Sequence, residues 1–434
     1  MATCLRSFCF EPLADGNYQS VGGFFMCSLR HNRNFVRLFL GRLITNIGDS
    51  VYYIAAMWLA YDLGGSVFYS GLAGFLTLLP EAFTVFVGPL VDRLSLKKVF
   101  TTTSLLQGLL LLIVPLLYVT DSLNVWGVLV LMPLITTMEL FHSPAESALL
   151  PKIVVKNQLV KANSAMAAAG QGTELLFNSL AGVLVVLLGA VSLYVIDAIL
   201  FFIAVFLYAG LKLPRQQTVA TAMTFSQQIS TYRSELKEGL AYVAQPKILN
   251  MLLPLMLINA AYSATLVVFP ALAKTLGGPD VYGWMMATLA GGMLVGTLLS
   301  SFVAERMAMG KAVIGGYSLT GLCWLAVPVV GDEALFAVLL CFFFASVPVG
   351  ATNILFFSYF QTTPPGHLVG RVAAVINSLI VLATPLGALL GGVLGEWMGS
   401  DIILVMNGVT FLFLACYWLS FQNLRRLPKV NLEE

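Results

Sequence analysis

The chain has 434 residues, of which 59% are hydrophobic and only 10% charged, and its mean hydropathy is +0.89. An ordinary soluble domain carries about a quarter charged residues, so this composition excludes a water-soluble globule and points to a polytopic membrane protein. With 23 Lys and Arg against 21 Asp and Glu, the charge is too sparse and too balanced for a nucleic-acid binder.

Residues 1–33 contain no apolar run long enough for a signal peptide and read as a cytoplasmic tail. Apolar runs bounded by Gly, Pro and charge then place spans near 35–62, 68–91, 98–119, 124–143, 162–187 and 190–212. A polar segment follows, and six more spans lie near 248–273, 282–304, 311–330, 333–357, 370–395 and 400–422. The expectation is an all-α membrane protein of twelve transmembrane helices. Its layout is a six-helix bundle at 34–212, a linker at 213–247, a second bundle at 248–423 and a short tail at 424–434. In the linker, Phe225, Ile229, Tyr232, Leu236, Leu240 and Val243 recur every three or four residues, the pattern of an amphipathic helix on the inner membrane surface.

Cytoplasmic loops concentrate Lys and Arg. With the amino terminus inside, Lys274 is the only basic residue in an external loop, whereas Asp62, Asp121, Asp280, Glu333, Glu396 and Asp401 all fall outside. Both termini are therefore expected in the cytoplasm. The six cysteines have no CxxC spacing and read as small core residues. His31, His142 and His367 sit in separate cytoplasmic segments without metal-ligand spacing, and no GxxxxGK[ST] loop is present. These absences argue against a metalloenzyme or an ATP-driven pump; no cofactor is expected, and the chain reads as a monomer in the bilayer rather than an enzyme.

The second span runs into GPLVDRLSLKKVF, which places Gly88, Asp92, Arg93, Lys97 and Lys98 at a short cytoplasmic turn. The eighth runs into SFVAERMAMGKAV, where Ser301, Glu305, Arg306 and Lys311 take the same relative positions, displaced by 213; Tyr69 and Tyr282 share that displacement. A loop repeated after the second helix of each half indicates duplication, an arrangement in which transporters place their site at the repeat interface. The turn resembles the signature loop of the major facilitator superfamily, with Ser95 in place of its second glycine. Four further stretches, from NIGDSVYYIAAMWLAYDLGGS to GRVAAVINSLIVLATPLGALLGG, resemble the macrolide-efflux and siderophore-export branch of that family. The resemblance implies helices two and eleven, and five and eight, sliding at the interface between halves. The Gly-Pro signature of antiporters is absent from the fifth span.

Five acids fall within spans of the first half: Asp49, Glu81, Glu139, Glu174 and Asp197. An ionised acid at mid-membrane costs about 3 kcal/mol or more, so each must be protonated, paired or facing water. Arg42, Asn46, Asp49 and Tyr53 share one helical face; Thr77, Glu81 and Thr84 form a second stripe, and Gln171, Glu174 and Asn178 a third. These stripes are expected to face one cavity, with Asp49 and Glu81 exchanging protons, while Glu139 and Asp197, nearer helix ends, read as hydrated structural groups. Asn259, Asn353, Asn377 and Asn407, with aromatics including Phe342, Phe343, Phe344, Phe356, Phe357, Tyr359 and Phe360, suggest an adaptable wall in the second half. Gly292 and Gly296, then Gly387, Gly391 and Gly395, allow close helix approach.

For gating, Asp92 is expected to dock at the start of span eleven beside Gly370 and Arg371, and Glu305 to approach the start of span five near Asn163. The reading that follows is a proton antiporter exporting amphipathic small molecules from a bacterial inner membrane. A lysophospholipid flippase or an importer of a small polar solute is the alternative.

Overall fold

The computed structural model describes residues 29, 32–83, 87, 90–91, 94–155, 158–213, 237–330, 334–365 and 369–429, with some side chains inside the helices outside that description. The first half comprises α1 (Arg33–Gly64), α2 (Val67–Leu78), α3 (Leu96–Val119), α4 (Val125–Glu139), α5 (His142–Ile153), α6 (Leu159–Leu188) and α7 (Ala190–Ala209). The second comprises α8 (Pro246–Leu276), α9 (Pro279–Arg306), α10 (Met309–Val330), α11 (Leu335–Thr362), α12 (Val369–Met398), α13 (Ser400–Ser420) and the short α14 (Gln422–Arg425). Twelve of these match the spans read from the sequence, and α5 and α14 are the additions. Nine segments among the described residues are long and apolar enough to cross a membrane by that measure alone. The first helix does not qualify because Arg42, Asn46 and Asp49 interrupt it, yet its 32 residues reach about 48 Å, more than the ~30 Å hydrocarbon core.

Local chemistry sets the helix ends. Asn32 caps α1 by accepting from the N–H groups of Asn34 and Phe35, each at 3.1 Å, and Gly65 ends it at φ 69°, a conformation that suits glycine. Ser66 then caps α2. The second span departs from a continuous helix: Pro80 supplies no N–H, and the chain tightens into a 3-10 turn at Leu79–Phe83 that carries Glu81.

The duplication is visible in the packing. α1 packs on α6 as α8 packs on α12, α3 on α7 as α10 on α13, and α2 on α4 as α9 on α11. The halves meet through α2 with α12 and α6 with α9, which are helices two, eleven, five and eight of the twelve.

Two features go beyond what the sequence specified. The segment after span four forms α5, which turns Ala145, Leu149 and Leu150 into a second apolar cluster with Phe35, Leu38, Phe100 and Tyr208, while His142 stacks on Phe100. Their three- and four-residue spacing makes one apolar face, which the Ser, Pro and Lys content of the segment obscures. The glycine series act inside the second half: Gly292 and Gly296 meet the α11 backbone at Phe343 and Val347, and Gly387 and Gly391 meet α8 at Ala260 and Ala264. Among the described residues, Gly71 and Gly392 bring the backbones of the two halves together, and Gly74 and Gly395 also face the opposite half. Of the linker helix, residues 237–243 are described and are helical; Phe225, Ile229, Tyr232 and Leu236 lie outside the described residues.

Candidate functional site

A cavity of about 890 Å³ lies between the halves. Its first-half wall includes Arg42, Asn46, Asp49 and Tyr53, the whole stripe read on the first span, together with Thr77, Glu81, Glu139 and Glu146. Its second-half wall is built from Asn259, Tyr262, Tyr282, Met286, Met293 and Thr384. Asp49 and Glu81 thus face one space, brought there by a straight helix and by the 3-10 turn.

The cavity lining reaches the face that carries the start of α1, where its residues Ser143 and Asn163 are exposed. At the opposite face the halves touch. Ser66 donates to Glu396 at 2.5 Å, the rings of Trp58 and Tyr282 stand 5.1 Å apart, and Lys274 sits 5.6 Å over the Tyr61 ring. The site is open on one side and sealed on the other.

The electrostatics are asymmetric. Arg42 is bound to Glu146 through a 2.8 Å Nε–carboxylate contact, a partner that sequence reasoning missed because Glu146 appeared to lie in a loop. The Arg42 Nη1 also approaches Nδ1 of His142 at 3.4 Å, and Nε2 of His142 stands 3.0 Å from the Thr103 hydroxyl. Arginine can only donate, so Nδ1 accepts and the Nε2 proton points to Thr103. His142 is fully buried and stacked on Phe100 at 5.7 Å, a placement its spacing from the other histidines does not reveal. Beside the Arg42–Glu146 pair, Asp49, Glu81 and Glu139 also line the cavity, so its carboxyl groups outnumber its one arginine.

Asp197 also differs from expectation: it is buried in the core of the first half beside Gly48 rather than hydrated near a helix end. The reason is α7's position, packed against both α1 and α3, which takes this face out of solvent. The aromatic wall differs too. Phe342 is buried against Trp324 and Phe269, Phe356 packs on Trp418, and Phe344 and Phe357 point outward, so tyrosine and methionine line the cavity instead. Asn407 is buried away from the cavity lining, Asn353 is exposed, and the Asn377 side chain lies outside the described residues.

Gly88, Asp92 and Arg93 lie outside the described residues, as do the side chains of Glu174, Gln171, Asn178 and Arg371. Lys97 and Lys98 occupy the first turn of α3. Arg306 stacks over Phe302 of its own helix at 4.0 Å, and the Glu305 carbonyl accepts from Lys429 of the carboxyl-terminal segment. Asn163 donates to Leu159 in its own helix. These are contacts within a half. Among the described residues, no group of three His, Cys, Asp or Glu converges as a metal-binding cluster.

The family model of the Major Facilitator Superfamily matches residues 38–379 and 251–434. The chain belongs to this superfamily. Its helices, its duplicated packing and its central cavity are those of a multi-pass membrane transporter for small molecules, and not of an enzyme. It is 27% identical over 369 residues to the multidrug efflux pump Tap of Mycobacterium tuberculosis, covering 82% of this chain and 86% of Tap. It is 21% identical over 397 residues to macrolide efflux protein A of Streptococcus pyogenes, covering 91% of this chain and 97% of that protein. Among solved structures, a bacterial homologue of the iron transporter ferroportin in the inward-facing state superposes with a TM-score of 0.67 at 16% identity, covering 89% of this chain and 98% of that one. At that identity the likeness is one of fold.

Proposed function

We propose that this superfamily member exports amphipathic, cationic or neutral small molecules by proton antiport through alternating access. The observation that carries the reading is the make-up of the cavity: its carboxylates all lie on the first-half wall, while tyrosine and methionine line both walls and face those acids from the second half. Methionine and aromatic surfaces adapt to varied apolar shapes, while the acids attract positive charge and bind protons. Cargo and proton can then compete for the same carboxylates, Asp49 and Glu81, and by the sequence stripe Glu174. The naming of relatives as multidrug and macrolide efflux pumps favours export.

In this reading the face with the start of α1 is cytoplasmic, both termini lie inside, and residues 34–212 and 248–423 rock as two units in a bacterial inner membrane. The open cavity is then the state that loads cargo. Its closure is assigned to the cytoplasmic turn: Gly88, Asp92, Arg93, Lys97 and Lys98, with Arg371 as the counterpart of Asp92 and with Glu305 and Arg306 in the repeat. A membrane potential supplies about 2.3 kcal/mol per charge per 100 mV, enough to drive such a cycle. The test is transport in inverted vesicles with an ethidium-type cation. Uptake that collapses with a protonophore and persists without ATP supports the reading; uptake sustained by ATP after the gradient is gone refutes it.

A further inference from the structure

In the first half, at the cavity wall and directly behind it, a set of buried oxygen atoms remains unmatched among the described residues. Asp197 of α7 is 1% exposed, and neither carboxylate oxygen meets a hydrogen-bond donor among the described residues. It presses against α1 at Gly48, where an added Cβ would lie 1.9 Å from Asp197 Oδ1, so only glycine admits the carboxylate at this depth. The next residue of α1, Asp49, accepts from Gln107 Nε2 at 2.9 Å through Oδ1, and its Oδ2 is buried without a donor. Gln107 of α3 is itself fully buried, and its Oε1 also lacks a partner. Tyr52 and Tyr194, one helical turn from Asp49 and Asp197 and edge to face at 5.5 Å, keep unpartnered hydroxyls beside them.

The fully buried Asp197 carboxylate, with the buried Oδ2 of the cavity-lining Asp49 within its electrostatic range, needs compensation. Arg42, two turns away on α1 and bound to Glu146, lies within electrostatic range of Asp49, but it is not among the charges acting on Asp197. Glu139 lies within electrostatic range of both aspartates. Among the described residues the unmatched atoms here are carboxylate, amide and tyrosine hydroxyl oxygens; the hydroxyls can also donate, but the carboxylate and amide oxygens only accept.

We propose that Asp49, Asp197 and Gln107 form a binding site for one divalent, oxygen-seeking cation of calcium's size, tying α1, α3 and α7 together. The donor set selects this chemistry. Carboxylate and amide oxygens suit hard cations, whereas zinc and its neighbours favour nitrogen and sulfur, and the nearby imidazole of His142 is turned toward Arg42 and Thr103. Two aspartates balance two positive charges. Calcium accepts six to eight oxygens in irregular geometry, while magnesium sheds its water reluctantly and demands an octahedron. The Gln107 amide fits both roles, since its Nε2 orients Asp49 and its Oε1 is left to bind the ion. Filling the site commits Asp49, so the coupling proton of the preceding reading then rests on Glu81. The two readings fail separately, because cation binding is measured without transport.

The experiment uses the purified full-length protein in detergent, stripped with a chelator at about pH 8, where carboxylates are ordinarily ionised. Radioactive calcium should bind saturably at one ion per chain, and about 1 mM calcium should raise the unfolding temperature by several degrees, with magnesium and sodium having little effect. Asp197→Asn, Asp49→Asn and Gln107→Leu should each lower calcium affinity at least tenfold, while Asp401→Asn, an exposed carboxylate, should not. Gln107→Leu leaves both aspartates in place and serves if an aspartate variant does not fold. Absence of calcium binding by the wild-type protein, with acidification alone giving the stabilisation, would overturn the proposal and assign protons to the pair. Equal stabilisation by sodium or magnesium, or undiminished binding in the three variants, would overturn it as well.

Discussion

Gly71 of α2 and Gly392 of α12 bring the two halves into backbone contact: a Cβ added to Gly71 would lie 2.4 Å from the Cα of Gly392, and one added to Gly392 would lie 2.6 Å from the Cα of Gly71. Both residues are near the sealed face, one turn beyond the start of α2 and two turns before the end of α12. Their lack of side chains is what lets that face close. Gly392→Val should therefore prop it open. Spin labels at Asp62 and Trp397 should show a separated population rising at least severalfold, which needs only about 1 kcal/mol of differential strain; an unchanged distance distribution would contradict this role.

The Ser66–Glu396 hydrogen bond crosses the same face but is exposed to water. An exposed polar contact contributes about 0–1 kcal/mol. Glu396→Gln is expected to leave transport within about twofold of wild type, and a loss as large as that of Gly392→Val would show the seal to be electrostatic rather than steric.

Arg42 and Glu146 are each partly buried, with side-chain exposures of 15% and 21%. Removing one charge leaves the other in the cavity wall, at a cost of roughly 1–3 kcal/mol for a charge-assisted bond that water partly reaches. Arg42→Ala should lower thermal stability, and Glu146→Gln should do so less because the amide can still accept. The double variant should recover part of the loss, which a thermal-shift double-mutant cycle can measure. Strict additivity would mean the pair is not coupled.

Glu81 stands on a 3-10 turn in the cavity wall, and Tyr53 and Tyr262 flank it from α1 and α8. Glu81→Gln keeps the shape and removes the exchangeable proton. Coupled transport should fall at least tenfold while insertion and cargo binding are retained, and counterflow at equal pH should continue. Full activity under a proton gradient would exclude Glu81 as a coupling group.

The change of wall from phenylalanine to tyrosine and methionine separates stability from transport. Phe342 is completely buried against Trp324 and Phe269, so Phe342→Ala should cost about 3–5 kcal/mol of stability. Tyr262→Ala, at the cavity surface, should instead raise the KM for aromatic cargo with little effect on unfolding temperature. The reverse pattern would return the phenylalanines to the site.

Twelve spans, a duplicated plan and a polar stripe on the first helix follow from the chain alone, because membrane insertion and helix geometry are set by local composition and by the 3.6-residue period. That Arg42, Asn46, Asp49 and Tyr53 share a face needs nothing beyond their spacing. Their partners could not be read that way. Glu146 and His142 reach Arg42 only because α5 folds back under α1, Asp197 is buried only because α7 packs into a gap left by Gly48, and Gly392 meets Gly71 only because α2 and α12 cross at that level. Each is a contact between residues far apart in the chain, and which residues meet was decided by the packing of whole helices rather than by any periodicity within them.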